Sequence, residues 1–133
     1  MDKDIKELYV AALKVKENAY AIYSNFYVGS ALRTRNGKIF SGCNVENSSY
    51  GLTVCAERNA IFKMVSEGET GISEILVVGD TEKFLPPCGA CRQVIAEFSN
   101  KDTKVFMCNK HGEFRKMTVG EILPFGFSLI EDR

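Results

Sequence analysis

Three cysteines lie at two places where the sequence predicts the start of a helix. Cys55 occupies one of them, and Cys88 and Cys91 occur together in a Pro-Cys-Gly-Ala-Cys-Arg segment at the other. Cys88 and Cys91 are three residues apart, so they share one face of the first helical turn. The positive partial charge at a helix N-terminus lowers the pKa of a nearby thiol. Three such thiolates can bind one zinc ion and leave a fourth tetrahedral position for water, which is the layout of a catalytic zinc site.

Glu57 and Arg58 follow the first of these cysteines. Glu57 is two residues after Cys55, so the two side chains point in different directions around the helix. Glu57 is therefore a poor fourth ligand, but its carboxylate can stand beside water at the metal, take its proton and pass it on. Three thiolates around one divalent ion leave a net negative charge, which Arg58 and Arg92 can offset. A glutamate in a first helical turn is common in itself, and only its neighbour Cys55 makes Glu57 a catalytic candidate.

The hydrophobic pattern predicts the elements that position these residues. In chain order they are a helix at about 4–22, a β-hairpin of 27–34 and 38–43 joined by Asn36-Gly37, a helix at about 53–67 with Gly68 as its C-terminal cap, a strand at 75–78, a helix at about 88–98, a strand at 104–108 and a short helix after a capping box at Thr118–Glu121. Strands that alternate with helices imply a three-layer α/β/α sandwich whose later strands run parallel.

Length and composition limit the class of protein. A chain of 133 residues is the size of one domain, so we expect residues 1–133 to form a single catalytic domain. No apolar run approaches the ~20 residues of a transmembrane helix, and the first residues are too charged for a signal peptide. We therefore expect a cytoplasmic protein. In that compartment five cysteines indicate metal or thiol chemistry before disulfides.

Four blocks of the sequence resemble the cytidine deaminases of the small, homotetrameric, three-cysteine type. The blocks are 24–29 (Ser-Asn-Phe-Tyr-Val-Gly), 44–47 (Asn-Val-Glu-Asn), 55–58 (Cys-Ala-Glu-Arg) and 87–93 (Pro-Cys-Gly-Ala-Cys-Arg-Gln). The resemblance covers nearly the whole chain, the four blocks occur in the family's order, and zinc, cysteines and a glutamate are typical of nucleobase deaminases. The resemblance implies a five-stranded mixed sheet between helices, one zinc per chain and a homotetramer. Ser30, where alanine is usual, and Phe125-Gly126-Phe127, where Gly-Ala-Phe is more usual, depart from the family pattern.

The resemblance also implies a reaction and a role for each site residue. The reaction is hydrolytic deamination of cytidine and 2'-deoxycytidine to the uridines and ammonia, as in pyrimidine salvage, with zinc-activated water attacking C4. The implied roles are zinc ligation for Cys55, Cys88 and Cys91, proton transfer for Glu57, substrate binding for Phe26, Asn44, Glu46 and Ala56, charge tuning for Arg58, and contributions to a neighbouring subunit's site for Tyr50 and Phe127. On composition alone, Phe26 is better explained as a packing residue.

The charge pattern favours a free nucleoside as the substrate. Asn44 and Glu46 are two apart at the end of a predicted strand, so they point to one side if the strand continues that far. A neutral amide beside a carboxylate suits sugar hydroxyls, whereas the carboxylate repels a phosphate. The chain has 17 Lys plus Arg and 17 Asp plus Glu, a balance that argues against binding to nucleic acid or anionic membranes.

Two alternatives stay open at this stage. Cys88-x-x-Cys91 followed by Cys108-x-x-His111 is also a structural zinc spacing, which would make the protein a zinc-stapled binding module. That interpretation leaves Cys55 unexplained, and we expect Cys108, like Cys43, to be a core residue at a strand end. The second alternative is a deaminase of another amine, such as a cytosine-bearing antibiotic nucleoside, guanine or a tRNA adenosine. An RNA substrate would require a basic surface.

Overall fold

The computed structural model describes residues 1–130 and contains one five-stranded mixed sheet. The elements are α1 (Lys3–Lys16), β1 (Val28–Thr34), β2 (Ile39–Cys43), a short 3-10 helix (Tyr50–Leu52), α2 (Ala56–Ser66), β3 (Ile72–Gly79), α3 (Gly89–Glu97), β4 (Lys104–Cys108), β5 (Phe114–Thr118) and α4 (Val119–Ile122). The strand order is β2-β1-β3-β4-β5. Strands β3 and β4 run parallel, and the other neighbouring pairs are antiparallel.

Two apolar clusters, one on each face of the sheet, make the three layers. On one face α1 packs Leu8 and Ala12 against residues such as Leu76 and Phe106. On the other face α2, α3 and α4 pack against the sheet through residues such as Ile61, Ile95 and Ile122. The β3 side chains alternate between these faces and are nearly all buried, as expected of a central strand. The predicted α/β/α sandwich with a five-stranded mixed sheet is confirmed.

Local signals predicted several boundaries correctly. Gly37 has φ of 85° in the hairpin turn. At the end of α2, Gly68 has φ of 90°, the Gly68 N–H donates to the Val65 carbonyl, and the Glu69 N–H donates to the Met64 carbonyl. This pair of bonds is a Schellman C-cap. At the start of α4, Thr118 and Glu121 form the reciprocal bonds of a capping box.

The first helix is shorter than the apolar spacing predicts. It ends at Lys16 and not near residue 22. Beyond it the backbone pairs with the chain that follows β2: the Tyr20 N–H donates to the Asn44 carbonyl, and the Glu46 N–H donates to the Tyr20 carbonyl. Ile22, which continues the helical spacing, is exposed. Tertiary pairing therefore overrides the helical pattern, and residues 17–26 form a wall beside the end of β2.

Strand β5 was missing from the elements predicted by the hydrophobic pattern, although the family resemblance implied five strands. Its sequence is Phe-Arg-Lys-Met-Thr, and Arg115 and Lys116 are both exposed. An edge strand with two adjacent charged residues lacks the alternation that identifies a half-buried strand. Within residues 1–130, no helix has both the length and the apolar character needed to cross a membrane.

Gly42 allows α2 to lie directly on the backbone of β2. A Cβ atom added at Gly42 would come within 2.3 Å of the Ala60 backbone nitrogen. We therefore expect Gly42→Ala to lower the free energy of unfolding by at least the ~1–3 kcal/mol typical of an overpacked core, because the atoms it meets are helix backbone. Urea unfolding with zinc in excess measures this change. Gly51→Ala is the control, since open space surrounds that position. Equal unfolding midpoints for the two variants would contradict the close contact.

Candidate active site

The structure brings Cys55, Cys88 and Cys91 together at the N-termini of two helices. Cys55 is the N-cap of α2, Cys88 is the N-cap of α3, and Cys91 lies in the first turn of α3. The three Sγ atoms all lie within 4.8 Å of one another, and those of Cys55 and Cys88 are 3.7 Å apart. A tetrahedral zinc–thiolate site with bonds of about 2.3 Å requires sulfur atoms about 3.8 Å apart. The cysteine group therefore fits a zinc ion.

The surroundings of Cys55 favour its thiolate form, which is the form that binds metal. The pKa of Cys55 is lowered to about 5, mainly by a hydrogen bond from the Cys91 thiol and also by Arg58, although burial acts in the opposite direction. The hydrogen bond with Cys55, together with burial, raises the pKa of Cys91. One guanidinium nitrogen of Arg58, Nη2, donates to Cys55 Sγ at 3.5 Å. This contact places Arg58 where its charge offsets that of the cysteines.

Glu57 lies beside the cysteines and is almost fully buried. The residue is 5% exposed, and burial raises the pKa of its carboxyl to about 7. The negative charge of Cys55 adds to the rise, whereas hydrogen bonds from the Glu57 backbone N–H and from Cys91 oppose it. A carboxyl group with a pKa close to neutrality can both accept and release a proton, as a general acid/base requires.

A cavity of about 360 Å³ is lined both by Glu57 and two of the cysteines and by Asn44 and Glu46. Its lining includes all four residues expected to bind substrate, together with several that the sequence did not indicate; the lining residues are Ser24, Phe26, Val28, Asn44, Glu46, Thr53, Cys55, Ala56, Glu57, Val77, Leu85, Pro86 and Cys88. Such a cavity, mostly apolar with a few convergent polar groups, is typical of a small-molecule site.

Phe26 borders the cavity because Gly79, at the end of β3, leaves room for its ring. A Cβ atom at Gly79 would lie 2.8 Å from Leu85 Cδ2 and 3.1 Å from Phe26 Cζ. The apolar run of β3 followed by a glycine is the only sequence signal for this wall. Val77, on β3, and Leu85 were not among the predicted site residues, because each reads as an ordinary apolar residue of a strand or loop.

Asn44 and Glu46 both border the cavity, and both also support its wall. Asn44 Oδ1 accepts a hydrogen bond from the Val28 N–H at 2.9 Å, and Asn44 Nδ2 donates to the Phe26 carbonyl at 2.8 Å. Glu46 Oε1 accepts from the Tyr23 and Ser24 N–H groups, and Glu46 Oε2 accepts from the Ser24 hydroxyl. These bonds were not foreseen from the sequence, because their partners lie about 20 residues away.

The structure does not bring Cys108 and His111 to the cysteine group. Cys108 is buried in the core on the α1 face, whereas His111 Nε2 lies 3.0 Å from Glu82 Oε2 on the surface. In the described part of the chain, the group formed by Cys55, Cys88 and Cys91 is the one cluster with three metal-ligating side chains. The structural zinc alternative is therefore wrong. Cys108 is a core residue as predicted, and Cys43 is half-buried.

The remaining candidates lie outside the cavity. Among the described residues, Arg92 donates to backbone carbonyls and not to a cysteine sulfur: its Nε donates to the Pro87 carbonyl at 2.9 Å and its Nη1 to the Ile122 carbonyl at 3.0 Å. Tyr50 is 79% exposed and borders a neighbouring hollow that includes Glu46. Phe127 is 69% exposed and does not line the cavity of its own chain.

Comparison with known proteins defines the class of this site. Residues 2–108 match the family model described as the cytidine and deoxycytidylate deaminase zinc-binding region. That segment includes the three cysteines and Glu57. The chain therefore belongs to this family of zinc-binding deaminases.

Individual relatives narrow the class further. The cytidine deaminase of Halalkalibacterium halodurans is 49% identical over 94% of this chain and 95% of its own length, and that of Sporosarcina psychrophila is 48% identical over 94% and 92%. The crystal structure of cytidine deaminase from Burkholderia pseudomallei matches with a TM-score of 0.89 and 46% identity, over 96% of this chain and 100% of that one. The chain is thus an enzyme of the cytidine deaminase type.

Proposed function

We propose that the protein hydrolyses the exocyclic amine of cytidine and 2'-deoxycytidine, giving uridine or 2'-deoxyuridine and ammonia, as a step of pyrimidine salvage. The observation that carries the proposal is a cavity of about 360 Å³ whose lining combines the Glu57 carboxyl, Cys55 and Cys88 with Asn44 and Glu46. A pyrimidine nucleoside has the matching polarity, with an amine on its base and hydroxyl groups on its sugar.

Cys55, Cys88 and Cys91 would hold the metal, one ion per chain. Zinc bound there supplies an acidified water molecule and a positive charge near the reacting carbon. The Glu57 carboxylate accepts the proton of the attacking water and delivers it to N3 of the base. The second proton of the same water molecule passes through the Glu57 carboxyl to the amino group, which leaves as ammonia. Arg58 keeps the negative charge of the cysteines from weakening the electrophilic end of the site.

Substrate orientation is assigned to groups that line the rest of the cavity. The Phe26 ring, lying over Gly79, offers a face for the pyrimidine, and Ala56 offers the backbone at the start of α2. The Asn44 amide uses one of its two N–H donors on the Phe26 carbonyl, so one donor is left for a sugar hydroxyl. Glu46 accepts three hydrogen bonds, and a carboxylate has about four acceptor positions. Asn44 and Glu46 can therefore bind sugar hydroxyl groups while they keep the hydrogen bonds that support the cavity wall.

A substrate comparison tests the proposal. Absorbance loss should show turnover of cytidine and of 2'-deoxycytidine with kcat/KM within ~10-fold of each other, because no residue is assigned to the 2'-hydroxyl and one neutral hydrogen bond contributes about 0.5–1.5 kcal/mol. CMP should be at least ~10-fold worse, since its phosphate is repelled by the Glu46 carboxylate. Cytosine, the control without a sugar, should also be poor. Equal kcat/KM for CMP and cytidine would refute the assignment of Glu46.

We also propose that the active enzyme is a homotetramer in which Phe127, and with it Tyr50, contributes to a neighbouring subunit's site. Exposed apolar residues support this arrangement: Phe125, Phe127 and Leu129 are 105%, 69% and 87% exposed. Adjacent exposed apolar residues on this scale mark an interaction surface. Because Phe127 does not line the cavity of its own chain, a role in the reaction requires the cavity of another chain.

Mixing one variant impaired in substrate affinity with one impaired in turnover tests the shared site. Phe127→Ala chains keep the Glu57 carboxyl, and Glu57→Gln chains keep Phe127. Chains co-refolded at equal concentrations should form hybrid sites with both groups, so the KM for cytidine should partly return toward the unmodified value. Each variant refolded alone is the control, and sedimentation of the unmodified protein gives its oligomeric state. Activity that equals the sum of the two parents, or a monomer in solution, would refute the proposal.

A further inference from the structure

The side chains of the two residues that follow Cys91 reach the C-terminal part of the chain. Arg92 Nη1 donates to the Ile122 carbonyl at 3.0 Å, and Gln93 Nε2 donates to the Phe127 carbonyl at 2.9 Å. Both residues belong to α3, whose N-cap is Cys88. One acceptor, Ile122, immediately precedes the segment 123–127, and the other, Phe127, is its last residue. This segment follows α4 and contains no helix or strand. The helix of the cysteine group therefore holds this segment at both of its ends.

Arg92 connects the segment to the turn before Cys88. Its Nε donates to the carbonyl of Pro87, the residue that precedes Cys88. Its second acceptor, Ile122, is the last residue of α4, where carbonyl groups lack helical partners. A guanidinium group presents several donors in a fixed plane, so one side chain can fix two carbonyls relative to each other. Arg92 thus fixes the end of α4 with respect to the start of α3.

Gln93 acts on the irregular backbone that carries the exposed aromatic side chains. Phe125 has φ of 57°, a left-handed conformation that is uncommon for a residue with a Cβ atom. Gly126 packs on Leu123, because a Cβ atom there would lie 2.9 Å from Leu123 Cδ2. Such a turn persists only when its surroundings hold it. The bond from Gln93 to the next residue, Phe127, supplies part of that restraint.

We propose that Arg92 and Gln93 are positioning residues that hold the segment 123–127 to the metal-binding helix, so that Phe127 is presented to a neighbouring subunit in a fixed orientation. The proposal rests on the proposed function only in the role given to Phe127. Its consequence is that substrate affinity in one subunit depends on hydrogen bonds made inside another. Gln93 acts through Phe127 and does not contact the substrate.

Hydrogen exchange of the zinc-loaded protein tests whether the segment is held. Gln93→Met keeps the length of the side chain and removes its donor, and we expect amide exchange in 123–128 to become about fivefold faster, the effect of losing one ordinary hydrogen bond. Glu97→Met is the matched control, since Glu97 lies one turn further along α3 and lines a hollow together with Phe125 and Phe127. Arg92→Lys should also speed exchange of the Cys88 amide, the first amide after Pro86 and Pro87. Exchange in 123–128 that is equal in Gln93→Met and Glu97→Met would overturn the proposal.

A double-variant comparison tests the effect on the reaction. Gln93→Met should raise the KM for cytidine about fivefold with kcat and zinc content unchanged, and it should have no further effect in a Phe127→Ala background. KM effects that add in the double variant would overturn the positioning role, because Gln93 would then act independently of Phe127. If Phe127→Ala alone leaves KM unchanged, the assignment of Phe127 and the positioning role are both wrong, whereas the exchange result still decides whether the segment is held.

Discussion

Glu57→Gln should lower kcat for cytidine by ~10²–10⁴-fold, the contribution of a positioned general acid/base, and should leave zinc content and the unfolding midpoint nearly unchanged. Glutamine has almost the same size and fills the same buried position, but it cannot carry a proton between water and the base. Burial raises the pKa of the Glu57 carboxyl to about 7, which is what that transfer requires. Metal analysis and steady-state kinetics on the same preparation measure both quantities.

The control is Glu67→Gln, a change of the same kind at the opposite end of the same helix, where activity should be unaffected. The assignment of Glu57 would be refuted by a zinc-loaded Glu57→Gln protein that turns over cytidine at the unmodified rate. A variant that loses its zinc would instead assign Glu57 to metal binding, because the carboxylate would then be needed by the ion itself.

Cys88→Ala should abolish activity and lower zinc affinity by more than the 10–100-fold that follows loss of an outer partner of a metal ligand. The free energy of unfolding should fall as well, since part of it comes from metal binding. Cys88 suits this test because it is exposed and its side chain makes no capping hydrogen bond. Truncation therefore removes little packing. Zinc release to a chelator and urea unfolding are the measurements.

Cys43→Ala provides the matched control, because that thiol is half-buried and lies outside the metal-binding group. If packing decided stability, Cys43→Ala would be the more harmful change, whereas a metal role makes Cys88→Ala the more harmful one. Equal losses of stability with zinc retained in both variants would remove Cys88 from the metal site.

The placement of the cysteines and of Glu57 at helix starts was predictable from sequence because it depends on local spacing. Cys88 and Cys91 share a helical turn whatever the rest of the fold does, and the position of Glu57 after Cys55 follows from the same helical geometry. Turn signals at Gly37 and Gly68 also depend on neighbouring residues alone. These features required no knowledge of distant contacts, and the structure confirms that the three cysteines and Glu57 lie together.

The features that escaped prediction depend on contacts between distant parts of the chain. The first helix stops at Lys16 because Tyr20 pairs with the backbone near Asn44, and no local signal encodes that pairing. Arg92 lies next to a cysteine in sequence and was expected to offset its charge. In the fold its guanidinium group reaches the carbonyls of Pro87 and Ile122. Adjacency in sequence is a weak guide to the direction of a long side chain.

Strand β5 has a consequence for the behaviour of the protein at high concentration. It forms one border of the sheet, where unpaired backbone N–H and C=O groups can recruit a strand from another molecule and start aggregation. Arg115 and Lys116 are exposed side by side on this strand. A second copy of the chain that approaches with its own β5 would bring the same positive charges, and the two strands would repel each other. The two residues that made β5 difficult to recognise thus protect the sheet from uncontrolled strand addition during folding and storage.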